Sequence, residues 1–548
     1  MFSLNSPIVS RLHILVLFIF SILWLYLFRK AYLDDAFISL SFGRALHRLQ
    51  VHLVDANEIS FQSSTLYIFL ASLMDRLPSP TVAIKALSIA FYVILFSVIA
   101  FRALAATTAA SYWLYLLFLV ALASPMGVRW LSDGMETSLF SVVGVGMASL
   151  WRAKSATRSA FGSIAGFIIL VVFGCLAVLL RIEALYMIAM VSGLFWIRDV
   201  SAIEREKLNL WAVIRPIITH GHLAIGGIFG AVILFVLFGH LIPDTAIVKQ
   251  KVSSADTVYL VIHAIGAAMS FGILMCAVIA IASGALLVKL SQLGWQVRLS
   301  APGLVVLAFF PCGLLLIIAA GMQVEGIRHI VWLFVFSITA VMTYLNSLPA
   351  DASDNKTVWS KSIRSASACL AGAAVLFWAY EGYVLARFAN GHKDLWTVDF
   401  PEVKWGALAN ATGIAFDVGR IMYFTDGRIC DAAGLINGRR MAIASPAERL
   451  RTCLTKNPSF LFVDSEQYES ITAAAGKAAF AGWTVCIALD QQRLVTFVRP
   501  GHLLVVSPAL AANVCPHAVT RIEASGELPR SLFSNPRIPE KGQVGRDL

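Results

Sequence analysis

The feature that most limits how this chain can fold is a succession of apolar runs close to the length that crosses a bilayer. Runs at 12–28, 82–101, 108–124, 136–151, 159–180, 183–197, 219–241, 261–288, 302–320, 327–347 and 364–386 are poor in charge, and a spanning helix needs about 20 such residues. Composition agrees. A soluble domain is about a quarter charged, whereas 14% of these residues are charged and 58% are hydrophobic. A water-soluble fold would have to expose large apolar patches. The expected fold class is a polytopic α-helical membrane protein of about eleven spans over residues 1–386, followed by a water-exposed C-terminal domain over 387–548.

Arg11 precedes the first run, but no small-residue cleavage site follows it, so an uncleaved first helix is expected. The apolar segment 64–77 is too short to cross and reads as a re-entrant or interfacial helix. With that choice, Arg102, Arg152, Lys154, Arg158, Arg198, Arg205, Lys207, Arg215, Lys289, Arg298, Lys356, Lys361 and Arg364 all fall on the N-terminal, cytoplasmic side. Lys and Arg favour that side, so the C-terminal domain is expected outside the cytoplasm. The formal net charge of +11 fits this topology and attraction to anionic headgroups. No nucleic-acid-binding motif accompanies it.

After Ala386 the pattern changes. Strand-like runs at 413–416, 459–463, 483–488, 493–498 and 503–506 alternate with helix-like pieces at 446–453 and 467–480, which suggests a small α/β domain. The tail after Glu527 is rich in Pro, Arg and Gly and reads as loose. Cys430, Cys453, Cys486 and Cys515 lie here without metal-ligand spacing. Outside the cytoplasm they would form one or two disulfides, with three full pairings possible.

The chemically capable residues gather in the expected outer loops. Asp34 and Asp35 open a helix with a greasy stripe of Ile38, Phe42, Ala45 and Leu49 and a polar stripe of Ser41, Arg44 and Arg48. Adjacent carboxylates at a membrane surface suit a general base or a divalent-metal ligand; they equally suit a helix start. Asp133 and Glu136 precede a span, where a capping role competes with a functional one. Arg181 and Glu183 form either a structural ion pair at a tight turn or part of a site. Asp244 with Lys249 and Lys251, and Glu325 with Arg328 and His329, complete the set. Lysines bind phosphate as point charges and arginine as a fork; the ordinary alternative is snorkelling and interface anchoring. Together, carboxylates and cations on one side suit a lipid-linked, phosphate-bearing substrate.

The order of these motifs resembles that of GT-C type membrane glycosyltransferases using polyprenyl-phosphate sugars, in particular the terminal arabinofuranosyltransferase subgroup of bacterial cell-wall enzymes. Asp34-Asp35-Ala36-Phe37-Ile38, Gly134-Met135-Glu136-Thr137, Arg181-Ile182-Glu183-Ala184 and Ile242-Pro243-Asp244-Thr245 with Lys249 follow the family sequence of motifs. So do Asp417-Val418-Gly419-Arg420 through Tyr423 and Asp426, and Asp431-Ala432-Ala433-Gly434-Leu435. The chain departs from the family at Glu58–Tyr67, where a Gly and a Pro are missing, at Ile182, where the Pro is missing, and at Asp244, which replaces Asn.

The resemblance implies a GT-C-like fold in the bacterial inner membrane, with sugar transferred from a polyprenyl-phosphate donor to a glycan or glycolipid acceptor outside the cytoplasm. Asp35, with Asp34 beside it, would be the essential base, and both would hold any divalent metal such as Mg or Mn. Arg44, Arg181, Lys249 and Arg328 are the candidate donor-phosphate ligands, supported by Glu136, Glu183 and His329. Two other classes compete: a transporter or flippase of lipid-linked sugars, which would place charges mid-span and show related halves, and a non-catalytic envelope assembly protein.

Overall fold

The computed structural model describes residues 7–29, 34–48, 64–106, 108–156, 164–203, 210–211, 213–214, 221–249, 254–320, 328–349, 358–390, 403–409, 411–416, 418–425, 428–488, 492–493, 498–499, 502–515, 520–522, 525 and 528. The chain divides into two compact units. One holds Met1–Leu33 with Phe61–His392, the other Asp34–Ser60 with Lys393–Leu548. The expected division after residue 386 put the Asp34-Asp35 segment in the membrane half; it groups instead with the C-terminal domain.

Helix α1 (Pro7–Leu27) belongs to the first unit and α2 (Asp34–His47) to the second. The first unit continues with α3 (Thr65–Met74), α4 (Pro80–Leu104), α5 (Ala109–Ala123), α6 (Pro125–Leu131), α7 (Thr137–Ala156), α8 (Ile164–Leu180) and α9 (Ala184–Ser201). It then carries α10 (His222–Phe238), α11 (Asp244–Lys249), α12 (Ser254–Ala267), α13 (Met269–Gln292), α14 (Val297–Ala319), α15 (Arg328–Leu345) and α16 (Val358–Asn390). Helices α5 and α15 are buried along nearly their whole lengths, as expected of helices apolar all round. Helix α10 is equally apolar but exposes Ile228, Phe229, Phe235, Val236 and Leu237, a face suited to lipid.

The expectation of eleven spans requires correction. Among the described residues, six helices are long and apolar enough to cross, and a seventh span is formed if the bent pair α5–α6 counts as one. Four of the expected runs fold into apolar helices at Thr137–Leu150, Ala165–Leu180, His222–Phe238 and His329–Leu345. At about 1.5 Å per residue, 17 residues reach about 25 Å, short of a hydrocarbon core of about 30 Å. The run at 261–288 breaks between α12 and α13 at Ala268, and Met269 has φ 49°. The protein is thus a multi-pass helical membrane protein, but the topology argument loses the count of eleven spans on which it rested. The segment at 64–77 forms a ten-residue helix, α3, too short to cross.

Small residues bring α8 and α10 into backbone contact. A Cβ on Gly226 would sit 2.0 Å from the Val171 carbonyl oxygen, and one on Gly174 would sit 2.4 Å from that of Leu223. Such seams replace the hydrophobic driving force that lipid removes.

The second unit is a mixed sheet with strand order β2-β1-β3-β7-β4-β8. Its strands are β1 (Thr412–Ala415), β2 (Arg428–Asp431), β3 (Phe460–Asp464), β4 (Thr484–Ala488), β7 (His502–Val506) and β8 (Thr520–Arg521). A separate two-stranded piece pairs β5 (Gln492–Arg493) with β6 (Val498–Arg499), so the single strand expected at 493–498 is replaced by two short ones. Strand β1 runs parallel to β2 and β3; the remaining pairs are antiparallel. Strand β3 is buried at every residue, which explains its uninterrupted apolar run.

Helices cover both faces. On one side, Ile38 of α2 joins Val418, Ile421 and Met422 of α17 (Val418–Thr425) in a core with Phe460, Phe462 and Leu504. Val514 of α21 (Pro508–Val514) completes that layer. Short α18 (Gly438–Ile443) follows β2. On the other side, α19 (Pro446–Leu454) and α20 (Ser465–Ala475) contribute Leu450, Tyr468 and Ile471. Both of these helices start in capping boxes, Ser445 with Glu448 and Asp464 with Gln467. Of the three pairings, the structure forms Cys430–Cys453 and Cys486–Cys515, with Cα separations of 5.4 and 5.6 Å. The tail beyond 528 lies outside the described residues.

Gly226→Val drives a branched side chain into the Val171 backbone and is expected to cost about 1–3 kcal/mol. Gly284→Ala, where a Cβ meets nothing within 4 Å, should stay within about 0.5 kcal/mol. Thermal unfolding of both variants in detergent checks the contrast.

Candidate functional site

The bend between α5 and α6 is the start of the site in the membrane unit. Pro125 forces an extended residue before it, and Ser124 obliges with ψ 153°. The two helices meet at 70°. Helix α6 then leads into a buried loop, Ser132–Glu136, in which Gly134 adopts φ 90°. Asp133 Oδ1 accepts the Met135 amide at 3.0 Å. The loop carbonyls are held from α3 and α4: Tyr67 donates its hydroxyl to Gly134 O at 2.8 Å, and Ser88 donates to Met135 O at 2.9 Å.

Six charged side chains gather around this loop: Lys85, Arg129, Asp133, Glu136, Arg181 and Glu183, three cations and three carboxylates. Arg181 is the bridge. Its Nη1 donates to Glu136 Oε1 at 3.0 Å and its Nη2 to Glu183 Oε1 at 2.7 Å, while its guanidinium carbon lies 5.6 Å from the Phe140 ring centre. Glu136 is 1% exposed and Arg181 7%, whereas the Glu183 side chain is 22% exposed and forms the rim. Glu183 occupies the N-cap of α9 but makes no side-chain capping bond; its carboxylate serves Arg181 instead. Lys85, 4% exposed, lies within electrostatic reach of Asp133 and Arg129. The Tyr67 hydroxyl feels both Asp133 and Glu136. Burying this many charges is costly unless they pair, and such residues in a membrane protein mark a site by default. Cations can hold a phosphate, and carboxylates can accept hydroxyl protons.

Sequence reasoning brought Glu136, Arg181 and Glu183 onto one list, and the structure brings them into contact. It missed Lys85 and Arg129, because lysines and arginines were weighed for sidedness and not for burial. A lone cation six residues into an apolar helix was the available signal for Lys85.

The other expected site residues lie elsewhere. Asp244 opens α11, is fully buried, and faces His240 Nε2 at 3.6 Å. His329 is half-buried in the first turn of α15. The side chains of Asp34, Lys249 and Arg328 lie outside the described residues, as do Glu325, Asp417 and Asp426. In the second unit, Asp35 is half-buried in the first turn of α2, and its carbonyl accepts the Ser39 hydroxyl at 3.3 Å. Arg44 donates to the Tyr423 carbonyl at 2.9 Å and stacks over that ring at 4.1 Å. This candidate phosphate ligand therefore ties α2 to α17. No group of three or more His, Cys, Asp and Glu side chains converges among the described residues; a metal would rest on Asp34 and Asp35.

The Asp431–Leu435 motif forms a closed turn. Asp431 Oδ1 accepts Ala433 N at 2.8 Å, its Oδ2 accepts Ile436 N at 2.9 Å and also Leu435 N, and Gly434 takes φ 87°. Burial pushes the Asp431 carboxyl up to about 6 against the pull of these amides. Arg449 beside it is itself shifted down by burial.

No protein-family model matches the chain, and no curated protein matches it.

Two expectations follow. Arg181→Met strands Glu136 and is expected to cost about 3 kcal/mol. Adding Glu136→Gln should recover part of that loss in a double-mutant cycle read by unfolding in detergent; strictly additive losses would show the pair to be idle. For Asp431, folding favours the neutral acid. Its stabilising contribution is full below about pH 4 and is lost as pH rises through about 6, on the order of 3 kcal/mol in all. Hydrogen exchange of the β1–β3 segment against pH should show this decline in the wild type and a flat profile in Asp431→Asn.

Proposed function

We propose that this protein is a membrane glycosyltransferase of GT-C type, moving a sugar from a polyprenyl-phosphate donor to a glycan or glycolipid acceptor at the outer face of the bacterial inner membrane. The observation that carries this reading is the buried cluster around Arg181. A sugar phosphate offers both an anion and several hydroxyls. A set of three cations interleaved with three carboxylates suits that mixture better than it suits a bare phosphate.

In this reading Lys85, Arg129 and Arg181 stabilise the phosphate as it leaves, and Glu136 and Glu183 orient Arg181. Lys249, Arg328 and His329 remain candidates for the same anion; Arg44 is better accounted for by its hold on Tyr423. The acceptor hydroxyl oxygen bonds to the anomeric carbon, the carbon–phosphate oxygen bond breaks, and polyprenyl phosphate departs with the electron pair. A carboxylate takes the hydroxyl proton; the resemblance assigns that role to Asp35, with Asp34 beside it. The two assignments stand in different units and are tested separately. Two disulfides in the C-terminal unit support an oxidising, extracytoplasmic location for it.

A second reading, a flippase of lipid-linked sugars, is favoured by Lys85 and Glu381, both buried within long apolar helices.

The test is sugar transfer by purified protein in detergent, with a panel of polyprenyl-phosphate sugars and a mixed glycan acceptor, with and without EDTA. Donor-dependent transfer is expected, reduced about 10²–10⁴-fold in Asp35→Asn, with donor binding weakened in Arg181→Lys and retained in Asp35→Asn. A fully active Asp35→Asn would sink the base assignment. No transfer from any donor, together with sugar-lipid flipping in liposomes, would replace this reading with the second.

A further inference from the structure

Glu381 lies on α16 and is fully buried. It sits where two interruptions in the helical bundle come together. One is the α12–α13 break. Gly272 allows the chain to turn there, since a Cβ on it would lie 2.1 Å from the Ile265 carbonyl oxygen. The other is the α5–α6 kink, where a Cβ on Gly127 would lie 2.5 Å from the Ala121 carbonyl oxygen.

Each interruption frees backbone groups that lipid cannot satisfy. At the kink, the carbonyl side is met by Tyr92, which donates to Leu122 O at 3.1 Å, and by Ser124, which donates to Ala121 O at 2.7 Å. On the amide side, the Ser124 hydroxyl accepts Gly127 N at 3.1 Å. The Ser270 hydroxyl, in the first turn of the 24-residue helix α13, donates to Glu381 Oε2. The backbone amides of Met126 and Ser270 face the same carboxyl group. A buried acid aimed at the positive end of a long helix, and at the first amides beyond a kink, is a resident acceptor where transporters with broken helices place a substrate anion.

We infer that Glu381 is a positioning residue that ties the start of α13 to the α5–α6 kink and thereby fixes α6, the segment that carries Arg129 and leads into Asp133. Its backbone role is independent of any activity; its relevance to catalysis rests on the reading of the Arg181 cluster given above. Gly382, next along α16, supports a fixed placement, because a Cβ there would lie 2.4 Å from the Trp24 ring of α1. That contact fixes the stretch of α16 backbone from which the Glu381 side chain extends.

The experiment is hydrogen exchange on the full-length protein in detergent, without substrate. In Glu381→Ala, amides at 126–131 and 270–273 are expected to exchange at least about tenfold faster, with α15 unchanged. Glu381→Gln, which keeps one acceptor oxygen, should fall between that variant and the wild type. If Glu381→Ala does not fold, Glu381→Gln decides, with a rise confined to the same two segments expected. A uniform rise across the unit, or no rise in either segment for Glu381→Gln, overturns the inference. Because no substrate enters, this outcome and that of the transfer assay are separately readable.

Discussion

The constraint behind most of this structure is that lipid offers no hydrogen bonds. A polar group freed in the bilayer must find a partner within the protein, and the α5–α6 kink and the Ser132–Glu136 loop both follow this. The α5–α6 kink frees the Leu122 carbonyl, which Tyr92 recovers, and the Ser124 hydroxyl adds a second bond to the Ala121 carbonyl. The Ser132–Glu136 loop is held through its carbonyls by Tyr67 and Ser88. The same rule applies to charge. Arg181 is tolerable at 7% exposure because two carboxylates reach it from opposite directions in sequence, one before α7 and one before α9. Removing one member changes the solvation of all.

The division into units follows a different logic. Residues 34–60 leave the membrane unit in sequence and return to it at Phe61, so the chain passes between units more than once. Helix α2 contributes Ile38 to the core built by α17 and β3, and Phe37 packs its ring against Tyr423 and Phe424 at 5.7 and 5.6 Å. The C-terminal domain is therefore not a self-contained appendage. A piece comprising only residues after 392 would expose the apolar face that α2 covers.

Much of this was legible in advance, for stateable reasons. Over its described residues each long apolar run of the membrane unit became helix, because there neither helix propensity nor burial has a competitor. Helix α19 was found almost to the residue, since Ser445, Pro446 and Glu448 carry a full start signal. What stayed hidden depends on distance. The number of spans was overcounted because a run of 17 apolar residues looks the same whether it crosses lipid or is buried, as most of α15 is. The grouping of α2 with residues beyond 392 depends on pairing across more than 350 positions, and no local pattern announces it. Among site residues, Glu136, Arg181 and Glu183 were visible as charges beside apolar runs. Lys85 and Glu381 each sit inside a run that reads as a span, where a lone charge was the only signal.

The balance of the cluster bears on what can enter it. Lys85, Arg129 and Arg181 are equal in number to Asp133, Glu136 and Glu183. A strong anion trap in a low-dielectric setting would leave cations in excess, and would bind phosphate with or without its sugar. A balanced set has no such surplus, so a ligand must repay displaced carboxylates as well as occupied cations. A group that presents hydroxyl donors beside its phosphate does both, since the carboxylates exchange an arginine for hydroxyls while the guanidinium turns to the phosphate. The product phosphate, stripped of its sugar, loses the first of these. On the proposed reading it would then be held less well than the intact donor, which would favour release after transfer. On the reading proposed above, equal numbers of buried cations and carboxylates would therefore favour a sugar phosphate over the phosphate left behind.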